Sequence, residues 1–382
     1  MKKKINLLVI VFFLFSYWLN AVGIKEIKNS LPEVKHVMDK IQLKTIRTWG
    51  AEGEGGDENY FKAPEGIAVD KDNNVYIVDS TLHCVKVFNR NGRFIRKIGQ
   101  KGQGPGDLLI PLQIAVDESN QIWVNDFGNR RMQCFSNTGT SISTFKTSLM
   151  FFLTKIFFPS KTQIALFDMA ASGRGKGIIK IFNRSGVKLQ TIGANVLPPR
   201  IDRPFNGGKF DSHIISYDKI AKQYYVAYTC SQMMHVFRDT GEHISTIFYD
   251  TPVNKLKLTW NPKKRNFHLL KKPKDYSECV DIAVDSRRRM FVIITSRLLK
   301  DNEKVSMTLG NGRIGYIPKD KNYPEKTDLY WLLVFGDTGK IIAAKQLDVF
   351  CSGIYLHNNH LFIVDKVFEK VIYEYRYTID GQ

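Results

Sequence analysis

Residues 64–99 read PEGIAVDKDNNVYIVDSTLHCVKVFNRNGRFIRKIG, and residues 111–145 read PLQIAVDESNQIWVNDFGNRRMQCFSNTGTSISTF. The two stretches match at IAVD, at an aromatic in the next apolar run (Tyr76, Trp123) and at Asp79 and Asp126. They match again at Phe88 and Phe135 and at the turns Asn91-Gly92 and Thr138-Gly139. Self-similarity at a fixed period marks a repeat architecture and outranks any element read singly. In the first unit, four short alternating runs (66–69, 75–78, 85–89, 94–98) are separated by turn sequences such as Lys71-Asp72-Asn73-Asn74 and Asn91-Gly92. Alternation of β-branched and aromatic residues predicts strands, and Asn-Gly tolerates the positive φ of a tight hairpin. Each unit therefore reads as a four-stranded antiparallel sheet.

Weaker copies follow. Residues 154–193 end in IIKIFNRSGVKLQTIG, and residues 213–247 contain HVFRDTGEHISTI. A fifth unit opens with CVDIAVDSRRRMFVIIT at Cys279 and resumes with WLLVFGDTGKIIAAKQL at Trp331. The sixth, residues 351–379, stops after its third strand, while residues 43–50 (LKTIRTWG) resemble the missing fourth. An N-terminal strand that completes the last sheet closes a ring and removes the free edges of an open sheet. The expectation is an all-β, single six-bladed β-propeller over residues 41–382, preceded by a linker over 24–40.

The units resemble NHL repeats, whose pattern is met here by Pro64, Gly66, Ile67, Ala68, Val69 and Asp70, then Asn74, Val75, Tyr76 and Asp79, then His83, Val85, Val87 and Phe88. The stretch Gly99-Gln-Lys-Gly-Gln-Gly-Pro-Gly-Asp107 resembles the linker of bacterial exported six-bladed propellers of TolB-like architecture. Resemblance to these families implies a rigid face that binds a protein, glycan or peptide. It also leaves open a metal-assisted lyase or hydrolase, because amidating lyases and lactonases share the architecture.

The first residues point to export. Lys2, Lys3 and Lys4 precede an apolar run over residues 7–19 (LLVIVFFLFSYWL), and Ala21-Val22-Gly23 offers small residues for cleavage after Gly23. That is the layout of a signal peptide over residues 1–23, and the run is shorter than the roughly 20 residues of a spanning helix. The destination is periplasm or extracellular space, with an uncleaved anchor as the alternative. Hydrophobic residues at 43% and aromatics at 12% suffice for a large core, which excludes a disordered chain. A net charge of +19 suits an anionic surface, although AT-rich coding also yields many lysines. Export argues against nucleic acid, and nothing in the sequence demands more than a monomer. The five cysteines show no CxxC spacing and read as buried apolar side chains. Cys279 and Cys351 align with Pro64 and Pro111 at the starts of inner strands, which leaves a disulfide between them open.

Chain path locates the working face. Linkers between units and loops from second to third strands must share one side. The long insertions at 194–212, 249–278 and 296–330 all belong there, as does the glycine-rich 100–110 linker. Residues entering the inner strands ring the central channel on this side: Glu65, Lys155, His213 and Asp281, with Gln113 beside them and Arg130, Arg131 and Tyr228 just beyond. A carboxylate, an imidazole and an ammonium around one channel suit a polar ligand, and Glu65, His213 and Asp281 would be the acid–base or cation-holding set if the chain were an enzyme. The spacing contains no HExxH or other resident-cofactor motif, but these carboxylates leave room for a divalent cation in the channel. Asp79, Asp126 and Asp365 recur by register and read as turn caps, and His83 as part of the repeat. In the densest basic stretch, 255–274, Lys263, Lys264 and Arg265 are the candidate anion-binding residues.

Overall fold

The structure is a computed structural model, describing residues 24–50, 58–147, 155–167, 177–193, 213–229, 232–251, 258–261, 266–269, 278–295, 304–308, 314–318, 329–367 and 369–381. Its sheets form a ring of six blades. Blade one runs from the channel outward as Pro64–Val69, Val75–Asp79, Cys84–Phe88 and Phe94–Ile98, and blade two as Pro111–Val116, Ile122–Asp126, Arg131–Phe135 and Ser141–Lys146. Blade five is Cys279–Val284, Met290–Thr295, Tyr330–Phe335 and Ile341–Leu347. Blade three keeps three regular strands, Gln163–Phe167, Ile179–Asn183 and Lys188–Ile192. Its innermost position is held by residues 155–158, which pair with the next strand only at Phe157 and Ala165.

Closure happens where the sequence places it. Ile41–Trp49 lies antiparallel to Val371–Ile379, from Ile41 opposite Ile379 to Trp49 opposite Ile372. Gly353–His357 and His360–Asp365 complete blade six. Residues 24–40 are more than the expected linker. Lys25–Asn29 adds a parallel strand to the outside of blade four, beside His243–Tyr249. A short helix, Leu31–His36, then covers the outer strand of blade five. Ile27 and Val34 are buried by this wrap, so an apolar residue every few positions was the signal that a polar-looking segment is docked. Asn29 fixes it by donating to Phe248 and Gly339 carbonyls and accepting from Ile341 N–H.

The repeat has a physical basis. The aspartate ending each IAVD-type strand accepts backbone N–H groups in the following turn: Asp70 from Asp72 and Asn74, Asp117 from Ser119 and Gln121, and Asp285 from Arg287 and Arg289. Side-chain acceptors thus replace the bonds that the turning backbone cannot make itself. The turns place Asn73, Asn120 and Arg288 at positive φ, 61°, 62° and 64°. In the outer hairpins the left-handed position goes to glycine, at Gly92, Gly139, Gly186, Gly241 and Gly339.

Core packing lies between blades. Among the described residues one apolar cluster fills each of the six interfaces. Ala68, Tyr76, Ile114 and Val124 join blades one and two, for example, and Trp49, Ile67, Phe88 and Phe362 join six and one. Stability is therefore close to a sum of neighbour terms around a closed ring. The insertions between blades four and five and within blade five each contain a two-stranded hairpin, Leu258–Asn261 with Asn266–Leu269 and Lys304–Thr308 with Ile314–Pro318.

Candidate functional site at the channel mouth

The linkers into blades one and two meet the exits of those blades' second strands, which gathers both kinds of connection on one face. Lys62 and Ala63 N–H groups donate to Asp79, and Leu109 N–H donates to Asp126. Asp79 further accepts from Thr81 and Leu82, and Asp365 from Val367 and Glu369. The recurring aspartates are thus turn caps. His83 accepts the Ile110 N–H at 3.0 Å and so anchors the linker of the next blade.

A cavity of about 310 Å³ occupies the axis, and all six blades line it. Glu65, Gln113, Lys155 and Asp281 stand together at its wall, as the repeat alignment anticipates. The Lys155 ammonium crosses from blade three to blade five, 2.8 Å from Asp281 Oδ1, and donates to the Ile282 carbonyl at 2.7 Å. Asp281 also accepts the N–H groups of Ile282 on Oδ1 and Ile354 on Oδ2, each at 2.7 Å. Glu65 pairs with Lys366 of blade six at 3.1 Å. Gly353 lies beside Asp281, where a Cβ would come within 3.3 Å of Oδ2, so the wall there is bare backbone.

Lys366 was not foreseen. It follows the recurring Asp365, a place held by Ser80 and Phe127 in the first two units, and this departure from the repeat was its only sequence signal. Asp281 and Gln113 carry the same kind of signal, standing where blades one and six have Gly66 and Gly353.

Other expected residues lie elsewhere. Arg131 faces the linker. Its guanidinium pairs with Asp126 at 2.7 Å and donates to the carbonyls of Gln103, Gly104 and Asp107. Arg130 is exposed in a left-handed turn, φ 52°, away from the cavity wall. Tyr228 is buried within blade four, edge-on to His235 at 5.3 Å. His213 begins the inner strand of blade four, but its side chain lies outside the described residues, as do Lys263, Lys264 and Arg265. Cys279 and Cys351 are separate buried thiols, which corrects the disulfide left open above. Each sulfur instead contacts a carbonyl two residues on, of Asp281 and Gly353. Burial raises the Cys351 thiol pKa, and the neighbouring Asp281 charge raises it further.

At the opposite end of the axis Glu118 and Lys219 form an ion pair between blades two and four. Tyr217 lines that end, its phenol pushed up to about 12 by burial and by the nearby Asp239 and Asp218. His357 and His360 flank the inner hairpin of blade six, where His357 is held below its ordinary pKa by burial and His360. Among the described residues no three His, Cys, Asp or Glu side chains converge as a metal-holding group.

The chain is a six-bladed β-propeller, and comparison with known proteins agrees. A family described as 6-bladed beta-propeller matches residues 52–191. NHL repeat-containing protein 3 of Mus musculus is 28% identical over 124 residues, 31% of this chain and 35% of that protein. A Caenorhabditis elegans protein assigned as a peptidyl-alpha-hydroxyglycine alpha-amidating lyase is 26% identical over 128 residues, 31% of this chain and 33% of the relative. The chain thus spans about a third of the length of these relatives. Among solved structures, a Bacteroides vulgatus protein of the duf4221 family superposes with a TM-score of 0.57 at 10% identity, covering 89% of this chain and 99% of the other. A Bacteroides fragilis protein described as exported gives 0.55 at 12% identity, covering 94% and 100%. These structures share the fold. No helix among the described residues is long and apolar enough to cross a membrane.

Proposed function

We propose that this is an exported binding propeller, which holds a polar ligand from a protein, glycan or peptide at the channel mouth and carries out no bond-making step. The observation behind this reading is that both described carboxylates of the mouth are already matched: Glu65 by Lys366 and Asp281 by Lys155 and two backbone N–H groups. An ammonium at 2.8 Å or 3.1 Å from each of these carboxylates opposes a metal ion there. Paired charges lining a partly apolar cavity suit recognition. Export rests on the N-terminal sequence, and the similarity to an exported propeller is one of fold. The basic 255–274 insertion would add attraction to anionic surfaces.

Similarity to an amidating lyase favours a second reading, a metal-assisted lyase or hydrolase using Glu65, His213 and Asp281. One experiment separates the two. Elemental analysis of the purified chain, and of Glu65→Ala and Asp281→Ala, should find no stoichiometric zinc or calcium under the binding reading. A Gln113→Trp variant, which fills the mouth, should abolish retention of small ligands from an envelope extract in native mass spectrometry. One metal per chain, lost in both alanine variants, would overturn the binding reading in favour of the enzyme.

A further inference from the structure

We infer that the ligand of the channel mouth is a zwitterion of no net charge, with an ammonium and a carboxylate on an apolar body, as in a free amino acid or short peptide. This rests on the binding reading above and goes further by naming the ligand chemistry.

The argument begins with charge balance. The described charged residues at the mouth are Glu65, Asp281, Lys155 and Lys366, two of each sign, already in contact as two pairs. A ligand with one net charge would leave an uncompensated charge beside pairs whose side chains are only 11% to 34% exposed, and upsetting a partly buried pair carries a cost. A zwitterion adds one charge of each sign and keeps the balance.

Hydrogen-bond capacity sets the direction of binding. Both Asp281 oxygens already accept, Oδ1 from Lys155 and Ile282 N–H and Oδ2 from Ile354 N–H. Glu65 directs Oε2 to Lys366, and Oε1 has no donor among the described residues, so Glu65 is the carboxylate left to receive a ligand ammonium. Each lysine ammonium has three protons. Lys155 uses two, on Asp281 and the Ile282 carbonyl, and Lys366 uses one, on Glu65. Both ammonium groups therefore keep donors for a ligand carboxylate.

Shape agrees with this assignment. Gly353 precedes Ile354 on the inner strand of blade six, between the Asp281 pair contributed by blade five and the Glu65 pair contributed by blade one. Its missing side chain leaves the wall between the two pairs open. Below it, Ile67, Ile114, Phe157 and Val280 give the cavity apolar walls for a hydrophobic side chain. The volume, about 310 Å³, is at the small end for organic ligands.

The test is isothermal titration of the purified chain with leucyl-phenylalanine, its N-acetyl form (net negative), its C-terminal amide (net positive) and glucose. The free dipeptide should bind at least about tenfold more tightly than either capped form, the effect of losing one charged hydrogen bond. Lys366→Met and Glu65→Gln should each reduce dipeptide binding by a similar factor. Equal binding of capped and free peptides, or no dipeptide binding at millimolar concentration, would overturn the zwitterion assignment. Glucose binding that is abolished by Gln113→Trp, with none for the dipeptide, would also overturn it while leaving the channel-mouth reading intact. Dipeptide binding that survives Gln113→Trp would count against both.

Discussion

The indole N–H of Trp49 donates to the carboxylate of Glu374 at 3.1 Å, across the seam where the two ends of the chain meet. Arg47 Nε lies 3.0 Å from the same oxygen, and His360 Nδ1 lies 2.6 Å from the other. Glu374 is buried, so its charge is held by strands from both ends of the chain at once. The ring thus closes through a polar clasp as well as a backbone ladder.

Removing that clasp should open the ring. Glu374→Ala strands an arginine and an indole N–H in a largely buried place, and the expected loss of stability is about 3 kcal/mol. Urea unfolding followed by tryptophan fluorescence measures it, and an unchanged midpoint would show that the backbone pairing alone holds the seam.

Lys155 should matter to stability less than its central position suggests. Its side chain is 21% exposed and that of Asp281 11%, so water screens part of the pair. Lys155→Met should cost about 1–2 kcal/mol, and a second change, Asp281→Asn, should recover part of it. A double-mutant cycle tests this, and strict additivity would mean that the pair contributes nothing.

Arg131→Ala should free the glycine-rich linker without touching the ligand site. The substitution removes the Asp126 ion pair and the donors to three linker carbonyls. We expect faster proteolysis within residues 100–110, about 2–3 kcal/mol lower stability, and unchanged dipeptide binding. Weakened binding with normal proteolysis would instead make Arg131 a ligand residue.

The buried thiols predict a stability profile at alkaline pH. Burial, reinforced by Asp79 for Cys84 and Asp117 for Cys134, pushes these thiols up to about 11 and about 12 from an ordinary value of 9.0. Such groups stay protonated in the folded chain while the unfolded chain ionises. Their contribution is fully present below pH 9 and is lost as pH rises through the raised values. The denaturation midpoint should fall between about pH 9 and pH 12, and less steeply in a Cys84→Ala, Cys134→Ala variant. In a Cys230→Ser background, thiol reagents at pH 8 should label the chain only after unfolding. Rapid labelling of the native protein would contradict the burial of all four remaining cysteines.

What the sequence determined by itself is periodic. Period-two alternation, the strand-ending aspartates and the outer-turn glycines act over a few residues, so they are readable wherever the repeat is intact. They yield six blades, the closing strand and the face where the described linkers meet the second-strand exits. Glu65, Gln113, Lys155 and Asp281 were legible for the same reason, since register alone carries them to one channel. Tertiary structure decided what a repeat cannot encode. Lys366 reaches Glu65, and Lys155 reaches Asp281, across boundaries between blades, and contacts 301 and 126 residues apart leave no local pattern. Arg131 shows the converse: sequence placed it near the mouth, but its fork-shaped donor found three linker carbonyls and a buried aspartate. The wrap of residues 24–40 over blades four and five was likewise set by packing, because an extra strand forms only where a blade edge and an apolar surface are present to receive it.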